Sequence, residues 1–154
     1  VMFEGEIAQL ADPETLYRRP ATKKVADFIG TMNFIPAEIL SETGNSVEVD
    51  AKGLGRVTLD IAQAPAKSGD SPVVGLRPET LTLLYDDQKA PERETEGVID
   101  EVIYFGDMTY YDVYLGGTDV EVRLSMRNVP GRPVLEVGTR VRVAWSPSAL
   151  VLFR

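Results

Sequence analysis

The sequence predicts a mainly β protein, a small barrel of two pseudo-repeated halves that follows a short hairpin and two short helices. The main observation is a repeat, in which residues 74–84 (VGLRPETLTLL) align with residues 143–153 (VAWSPSALVLF). Each copy runs from an apolar strand through a proline, Pro78 or Pro147, into a second apolar run. Proline has a fixed φ and no N–H, so it interrupts a strand ladder. We therefore expect two sharp corners, of the kind that curl an antiparallel sheet into a barrel.

The start of the chain predicts a hairpin and a first helix. Strand-forming residues flank Gly5 within residues 1–7, a pattern typical of a hairpin. Asp12 is a predicted N-cap, followed by Pro13 at the first helical position. The helix should end at Pro20, because the residue before a proline is disfavoured in the helical conformation.

A second helix is predicted between Thr22, a possible N-cap, and Gly30, a possible helix end. Its spacing places Val25, Phe28 and Ile29 on one face. We expect that face to pack against a neighbouring element.

From residue 33 onward the pattern is β. Alternating apolar residues, as at Val47 and Val49, indicate strands with one buried face. Residues 38–40 loosely resemble residues 101–103, which would extend the repeat beyond the corners. Strands are expected at 34–40, 46–51, 56–61, 96–105, 109–115 and 119–126, besides the two corner segments, with longer loops at 64–72, 86–95 and 128–139.

Composition excludes several kinds of chemistry. The chain has no cysteine and no histidine, which rules out disulfides, thiolate or imidazole metal sites and histidine-dependent nucleophiles. Its net charge of −8 opposes binding to nucleic-acid phosphates. Asp100 and Glu101 are adjacent in a predicted strand and should point to opposite faces, so they are not expected to form a catalytic pair. We predict no catalytic residue and no metal site.

One group of aromatic residues leaves alternatives open. Single-stranded nucleic acid stacks on such rings in small OB-type barrels, but it also needs a basic track. Here the neighbours are acidic, which suits a small cation instead. The favoured interpretation is that the rings are strand formers that pack in the barrel or at an interface. The group comprises Tyr104, Phe105, Tyr110, Tyr111 and Tyr114.

Several motifs, in order and spacing, resemble the end of the ATP-binding subunit of ABC importers of the spermidine/putrescine, maltose and ferric-iron group. The early ones are PETLYRRP at 13–20 and VADFIG at 25–30. GLRPE at 75–79 resembles the Gly-Ile-Arg-Pro-Glu motif of the transport-associated OB domain in these subunits. FGDMTYY at 105–111 resembles its strand-Gly-strand segment, and VAWSP at 143–147 resembles its closing Trp-x-Pro.

The resemblance implies an OB-like regulatory and dimerisation domain. It assigns residues 1–32 to the end of the nucleotide-binding domain and its linker, and residues 33–154 to the regulatory barrel. The chain lacks Walker A, Walker B and ABC signature motifs, so no cofactor is expected in it. ATP and Mg²⁺ are expected in a parent domain upstream of Val1, and the parent is expected to be a transport ATPase.

The resemblance also implies partners and a location. The partners are a second copy of the same subunit, the upstream nucleotide-binding domain and membrane permease subunits, with no nucleic acid. The location is the cytoplasmic face of the inner membrane, held peripherally through the transporter. The stretches at 28–34 and 106–111 look closest to polyamine importers.

The candidate motif and interface residues follow from the same likeness. Arg77 and Glu79 become Ser146 and Ser148 in the second copy, so the corner itself does not require their charges. They are expected either to brace a loop or to reach a partner subunit, with Arg77→Ala weakening dimerisation more than stability. The full set is Gly75, Arg77, Pro78, Glu79, Gly106, Asp107, Tyr110, Trp145 and Pro147.

The alternative function, from another class, is a stand-alone OB-fold module that binds a small ligand or single-stranded nucleic acid. An enzyme is a third possibility that the missing histidine and cysteine disfavour.

Overall fold

The computed structural model describes residues 1–65 and 67–154. It confirms a mainly β chain with two curled half-barrel sheets. The predicted loop at 64–72 includes Ala66, which lies outside the described residues. No helix within the described ranges is long and apolar enough to cross a membrane.

The elements follow the predicted order closely. The helices are α1 (Pro13–Arg18) and α2 (Lys23–Ile29), with short 3-10 turns at Ile61–Gln63, Pro78–Thr80 and Pro147–Ala149. The strands are β1 (Met2–Phe3), β2 (Glu6–Ile7), β3 (Asn33–Glu42), β4 (Ser46–Ala51), β5 (Gly55–Asp60), β6 (Val73–Leu76), β7 (Thr82–Leu84), β8 (Arg93–Phe105), β9 (Met108–Leu115), β10 (Glu121–Arg127), β11 (Arg140–Trp145) and β12 (Val151–Phe153).

The described chain divides into two compact units. The first unit comprises Val1–Ala51, Arg56–Leu76 and Ser148–Arg154, and the second comprises Lys52–Gly55 and Arg77–Pro147. Nearly all of the five-stranded sheet β5-β4-β3-β6-β12 lies in the first unit. The five-stranded sheet β10-β9-β8-β11-β7 lies in the second.

The two sheets have the same plan. Each contains a meander of three consecutive strands, a fourth strand antiparallel to the first meander strand, and an edge strand beyond it. That edge strand comes from the other half of the sequence. The chain leaves the first sheet after β6 to supply β7, and it leaves the second after β11 to supply β12. Both changes of sheet take place at the repeated proline corners.

The internal repeat extends beyond the corners, in a different register from the one predicted. Asn33 pairs with Leu76, as Arg93 pairs with Trp145. Pairing shifts register at Leu40 in β3 and at Asp100 in β8. Arg93 is as far along the chain from Asn33 as Asp100 is from Leu40. The two bulges therefore lie at equivalent positions of β3 and β8. The predicted match of 38–40 with 101–103 is therefore three residues out of register, because it rested on the similar letters Glu-Ile-Leu and Glu-Val-Ile, whereas strand pairing makes Glu38 equivalent to Val98.

The N-terminal hairpin and first helix are confirmed. β1 and β2 pair antiparallel around Glu4 and Gly5. The Asp12 carboxylate accepts a hydrogen bond from the Thr15 amide at 3.0 Å, which caps α1 behind Pro13.

The second helix is capped as predicted, but its buried face is different. The Thr22 hydroxyl accepts from the Val25 amide at 3.2 Å. Val25 and Ala26 are buried, whereas Phe28 is 65% exposed. The ring of Phe28 meets that of Phe3 edge-on, at 5.4 Å between centroids. Val25 is buried and Ile29 half-buried as expected, and Phe28 packs on the hairpin through Phe3, but Ala26 takes the fully buried place beside Val25 that was expected for Phe28.

Two predicted boundaries also change. β8 begins at Arg93, so the strand takes up the end of the loop expected at 86–95. Ile61 leaves β5 for a 3-10 turn, in which Gln63 and Asp60 form a capping box. Gln63 also donates to the Leu150 carbonyl at 2.9 Å, which ties this turn to the strand leading into β12.

Two glycines of the sheets lie where neighbouring atoms come too close to leave room for a Cβ atom. A Cβ on Gly75 would lie 2.5 Å from Met32 Sδ and 3.0 Å from Phe153 Cε2. A Cβ on Gly97 would lie 2.5 Å from a Val113 methyl and 2.8 Å from the Tyr114 carbonyl oxygen. A methionine side chain can move aside, but the backbone of a paired strand cannot do so without loss of its ladder.

We expect Gly97→Ala to lower the free energy of unfolding by about 1–3 kcal/mol, the usual cost of overpacking a core. Gly44→Ala is the matched control, because a Cβ there meets nothing within 4 Å and its φ is not positive. Urea unfolding of both variants measures the difference. Equal stability of the two variants would contradict the close approach of β8 and β9.

Candidate functional site

The first corner separates the two charged residues that the sequence singled out. Arg77 is 4% exposed, and Pro78 beside it is also buried. Glu79 is exposed. The Thr80 hydroxyl and amide both donate to the Arg77 carbonyl, at 2.6 and 3.0 Å, which closes the 3-10 turn. Arg77 is therefore nearly inaccessible and Glu79 accessible, which gives the two residues different surroundings, and the effect of Arg77→Ala on dimerisation and stability stays a prediction.

The second corner holds its polar groups differently. Trp145 is 4% exposed, and the guanidinium carbon of Arg93 lies 4.8 Å from its ring centroid. This arrangement is a cation–π contact. Ser146, which stands where the first corner has Arg77, donates to the Glu92 carboxylate. Pro147 is half-buried. The two corners share proline and the 3-10 turn, and each fixes its polar side chains in its own way.

The β8–β9 hairpin forms a third predicted element of the site. Gly106 has a φ of 66°, the left-handed conformation that a tight turn needs and glycine tolerates. Asn128 braces the turn, because its amide group donates to the Gly106 carbonyl at 2.7 Å and its backbone N–H donates to the Asp107 carbonyl at 2.7 Å. Thr109 donates to the Asn128 side chain at 2.6 Å. Sequence reasoning missed Asn128, since it lies in a loop far along the chain.

The aromatic group does not form one platform. Tyr111 is 1% exposed and its hydroxyl accepts from the Leu135 amide, so it packs in the second unit as a strand former. Tyr104 and Phe105 are 64% and 70% exposed at the end of β8. Tyr110 and Tyr114 point to the opposite side of β9 from Tyr111, as residues in alternate register do. By the strand register, Phe105 lies on the same face as Tyr110 and Tyr114, while Tyr104 lies on the face of Tyr111, so the five rings are divided between two faces.

The acidic neighbours form a cluster across β8, β9 and β10. Asp112 lies opposite both Glu101 and Arg123. Arg123 binds the Asp112 carboxylate with two hydrogen bonds of 2.8 and 3.1 Å. Glu121, on the same strand as Arg123, lies opposite Tyr114. Asp112 and Arg123 lie at equal distances in sequence from the centre of the hairpin, between Gly117 and Thr118, and this spacing was a signal that could have identified the pair.

The same cluster shifts two pKa values. Burial, followed by repulsion from Asp100 and Asp112, raises the pKa of Glu121. Repulsion from Asp100 and Glu121 raises the pKa of Tyr114. Asp100 and Glu101 are both exposed, so the expected alternation of faces fails there, because the bulge at Asp100 interrupts it. Among the described residues, no group of acidic side chains has a geometry that could hold a metal ion.

A cleft of about 520 Å³ lies in the second unit, along the start of β11. Two arginines and two acids line it, namely Arg140, Arg142, Asp86 and Glu96. Arg142 donates to Glu94 at 3.0 Å and to the Asp86 carbonyl at 2.8 Å, so much of its charge is already compensated. The cleft offers balanced charge and no basic track.

These features define a class of protein: an OB-like β module of two half-barrels, in which the motif residues build corners and turns. A solved structure of the cytoplasmic molybdate-binding protein ModG, with molybdate bound, has this fold, with a TM-score of 0.55 at 16% identity. The structural match covers 80% of this chain and 94% of the ModG chain. At this identity the likeness shows the fold alone.

Residues 74–153, more than half of the chain, match the TOBE domain model. The chain therefore belongs to the TOBE domain family. This match begins one residue before Gly75 and ends at Phe153, so it contains both proline corners.

Relatives matched over their C-terminal region are named spermidine/putrescine import ATP-binding protein PotA. The Nitrosomonas europaea protein is 35% identical over 153 residues, which is 97% of this chain and 42% of the relative. One from Pseudomonas aeruginosa PAO1 is 36% identical over 147 residues, 94% of this chain and 40% of the relative. One from Thermotoga maritima is 30% identical over 151 residues, 96% and 41% of the two chains. The chain thus spans about two fifths of the length of these curated relatives.

We expect Arg77→Ala to lower the free energy of unfolding by about 2 kcal/mol, because truncation removes buried packing and the contacts of a buried charge. Glu79→Ala, at the exposed neighbour, should stay within about 0.5 kcal/mol of the wild type. Thermal melting and sedimentation of both variants test this. If Arg77→Ala left the melting temperature unchanged but abolished self-association, Arg77 would instead be a contact to a partner subunit.

Glu121→Gln should raise the melting temperature at pH 7 by about 1 °C, a small change because the group is exposed. A carboxyl whose pKa is raised by folding destabilises the fold when ionised, so the penalty is complete above that pKa. It disappears as the pH falls below about 4.3, the ordinary pKa of Glu. Melting curves from pH 4 to 8, with Glu136→Gln as the control, give the comparison. If the effect of Glu121→Gln on the melting temperature did not change with pH, the raised pKa of Glu121 in the acidic cluster would be contradicted.

Proposed function

We propose that the chain is the C-terminal regulatory and dimerisation domain of the ATP-binding subunit of an ABC importer of the spermidine/putrescine type. The observation that carries this proposal is the alignment with import ATP-binding proteins over 94–97% of the chain. The match to the TOBE domain family over both corners supports it.

In this proposal the ligands and partners bind the full-length parent protein. ATP and Mg²⁺ bind an upstream nucleotide-binding domain, which hydrolyses ATP, while this chain contains no Walker motif of its own. A second copy of the subunit and the membrane permease subunits are the other partners. The parent then lies peripherally at the cytoplasmic face of the inner membrane. Residues 1–32 form the connection to the nucleotide-binding domain, and residues 33–154 form the regulatory barrel.

The alternative of a nucleic-acid-binding OB module has less support. Stacking on single strands needs aromatic rings beside a basic track. Here Arg123 is engaged by Asp112, and the exposed rings lie near Asp100, Glu101 and Asp107. A small ligand in the cleft beside Arg140 is the form of the alternative that the structure favours.

The proposal is tested first by the coding sequence upstream of Val1, which should encode Walker A, Walker B and ABC signature motifs. The parent protein, assembled with its permease in vesicles, should then import labelled spermidine when ATP is supplied. Removal of residues 33–154 should lower uptake, while the nucleotide-binding domain still binds ATP. An upstream sequence without nucleotide-binding motifs, or a gel shift of single-stranded DNA by this chain at low salt, would contradict the proposal.

A further inference from the structure

The second half of β8 has a free edge. β11 pairs with β8 only from Arg93 to Val98. At Ile99 the strand instead exchanges hydrogen bonds with the loop before β11, to Thr139 and from Gly138. From residue 101 to residue 105 the strand pairs with β9 on one side. The described residues provide no strand on its other side. Backbone donors and acceptors along such an edge are available to another chain.

This edge differs from the outer edges of the two sheets. Natural proteins protect sheet edges by keeping them short or by placing charges on them. β7 and β12 are only three residues long. β5 carries Arg56 and Asp60, and β10 carries Glu121, Arg123 and Arg127. Residues 102–105 of β8 read Val-Ile-Tyr-Phe, without a charge or a proline. The bulge at Asp100 lies just before this segment, at the point where β8 leaves β11.

We propose that this edge pairs antiparallel with the same edge of a second copy of the chain, centred on Ile103. In that register Ile103 faces its own counterpart, Val102 faces Tyr104, and Glu101 faces Phe105. No like charges lie opposite one another, so the segment is complementary to itself, as a two-fold interface requires. The pairing deepens the dimerisation part of the proposed function, on which it rests.

The pairing would also cover apolar surface that the single chain leaves exposed. Tyr104 and Phe105 are the large aromatic residues with the highest exposure in the second unit. Ile103 lies opposite Tyr110 on the outer side of the sheet. Across the two-fold axis Ile103 would meet its counterpart, Tyr104 would meet Val102 and Phe105 would meet the stem of Glu101, in addition to the backbone hydrogen bonds between the two strands. Addition of a strand to an open edge is a common mode of protein recognition.

A cysteine at the centre of the register gives the direct test, because the natural chain contains no cysteine. Residues directly opposite in antiparallel strands have Cα atoms about 4.5–5.5 Å apart, a separation that a disulfide spans. Under mild oxidation Ile103→Cys should form a disulfide-linked dimer in high yield. Tyr114→Cys, partly exposed on the neighbouring strand, is the control and should form little.

Charge exchange tests the register without a crosslink. Phe105→Glu places a carboxylate opposite Glu101 of the second copy and should weaken the dimer about tenfold, since the pair occurs twice across the axis. Phe105→Lys faces the same Glu101 and should retain the dimer. The double variant Glu101→Lys/Phe105→Glu should restore it. Leu10→Glu, 85% exposed in the first unit, is the control and should have no effect.

The outcomes separate the two proposals. A chain that dimerises by sedimentation but neither crosslinks through Ile103→Cys nor responds to the charge exchange overturns the β8 edge, while dimerisation itself stands. A chain that stays monomeric up to about 1 mM overturns both the edge pairing and the dimerisation part of the proposed function.

Discussion

The structure depends on one constraint, the fixed φ and missing N–H of Pro78 and Pro147. Neither residue can donate to a hydrogen-bonded ladder, and the chain leaves its sheet at both places. It turns through a short 3-10 segment and enters the other sheet, which exchanges the last strand of each half. The hydrophobic cores of both units depend on this exchange of strands. Leu81 and Leu83 are buried in the second unit, and Leu150 and Leu152 are buried in the first.

This constraint explains why the residues that lead into the two corners are interior. Arg77 directly follows β6, Trp145 is the last residue of β11, and both are nearly inaccessible. Gly75 allows Met32 and Phe153 to approach the backbone of β6. The buried residues that hold the corners have little surface left for other contacts. The accessible candidates are the exposed ends of β8 and its hairpin, where Asn128 fixes the turn while Tyr104 and Phe105 face solvent.

Local signals in the sequence predicted the strands, the caps at Asp12 and Thr22, and the corners, because each rests on the chemistry of a few adjacent residues. The exchange of strands was not predictable, since a repeat reveals two similar corners but not which sheet each following strand joins. The bulges at Leu40 and Asp100 were also missed, since a local pattern of letters does not show where an extra residue enters a ladder. Within the candidate site, charge suggested an exposed role for Arg77, whereas its burial follows from tertiary packing that no local pattern shows. The burial of Ala26 in place of Phe28 has the same origin.

The most direct test of the account is whether either half of the sequence can fold without the other. Residues 1–85 lack β12, and residues 86–154 lack β7, so each half should give the poorly dispersed amide spectrum of an unfolded chain. When the two halves are mixed in equal amounts, the heteronuclear NMR spectrum of the intact chain should return. A well-dispersed, native-like spectrum from either half alone would contradict the exchange of strands at the proline corners.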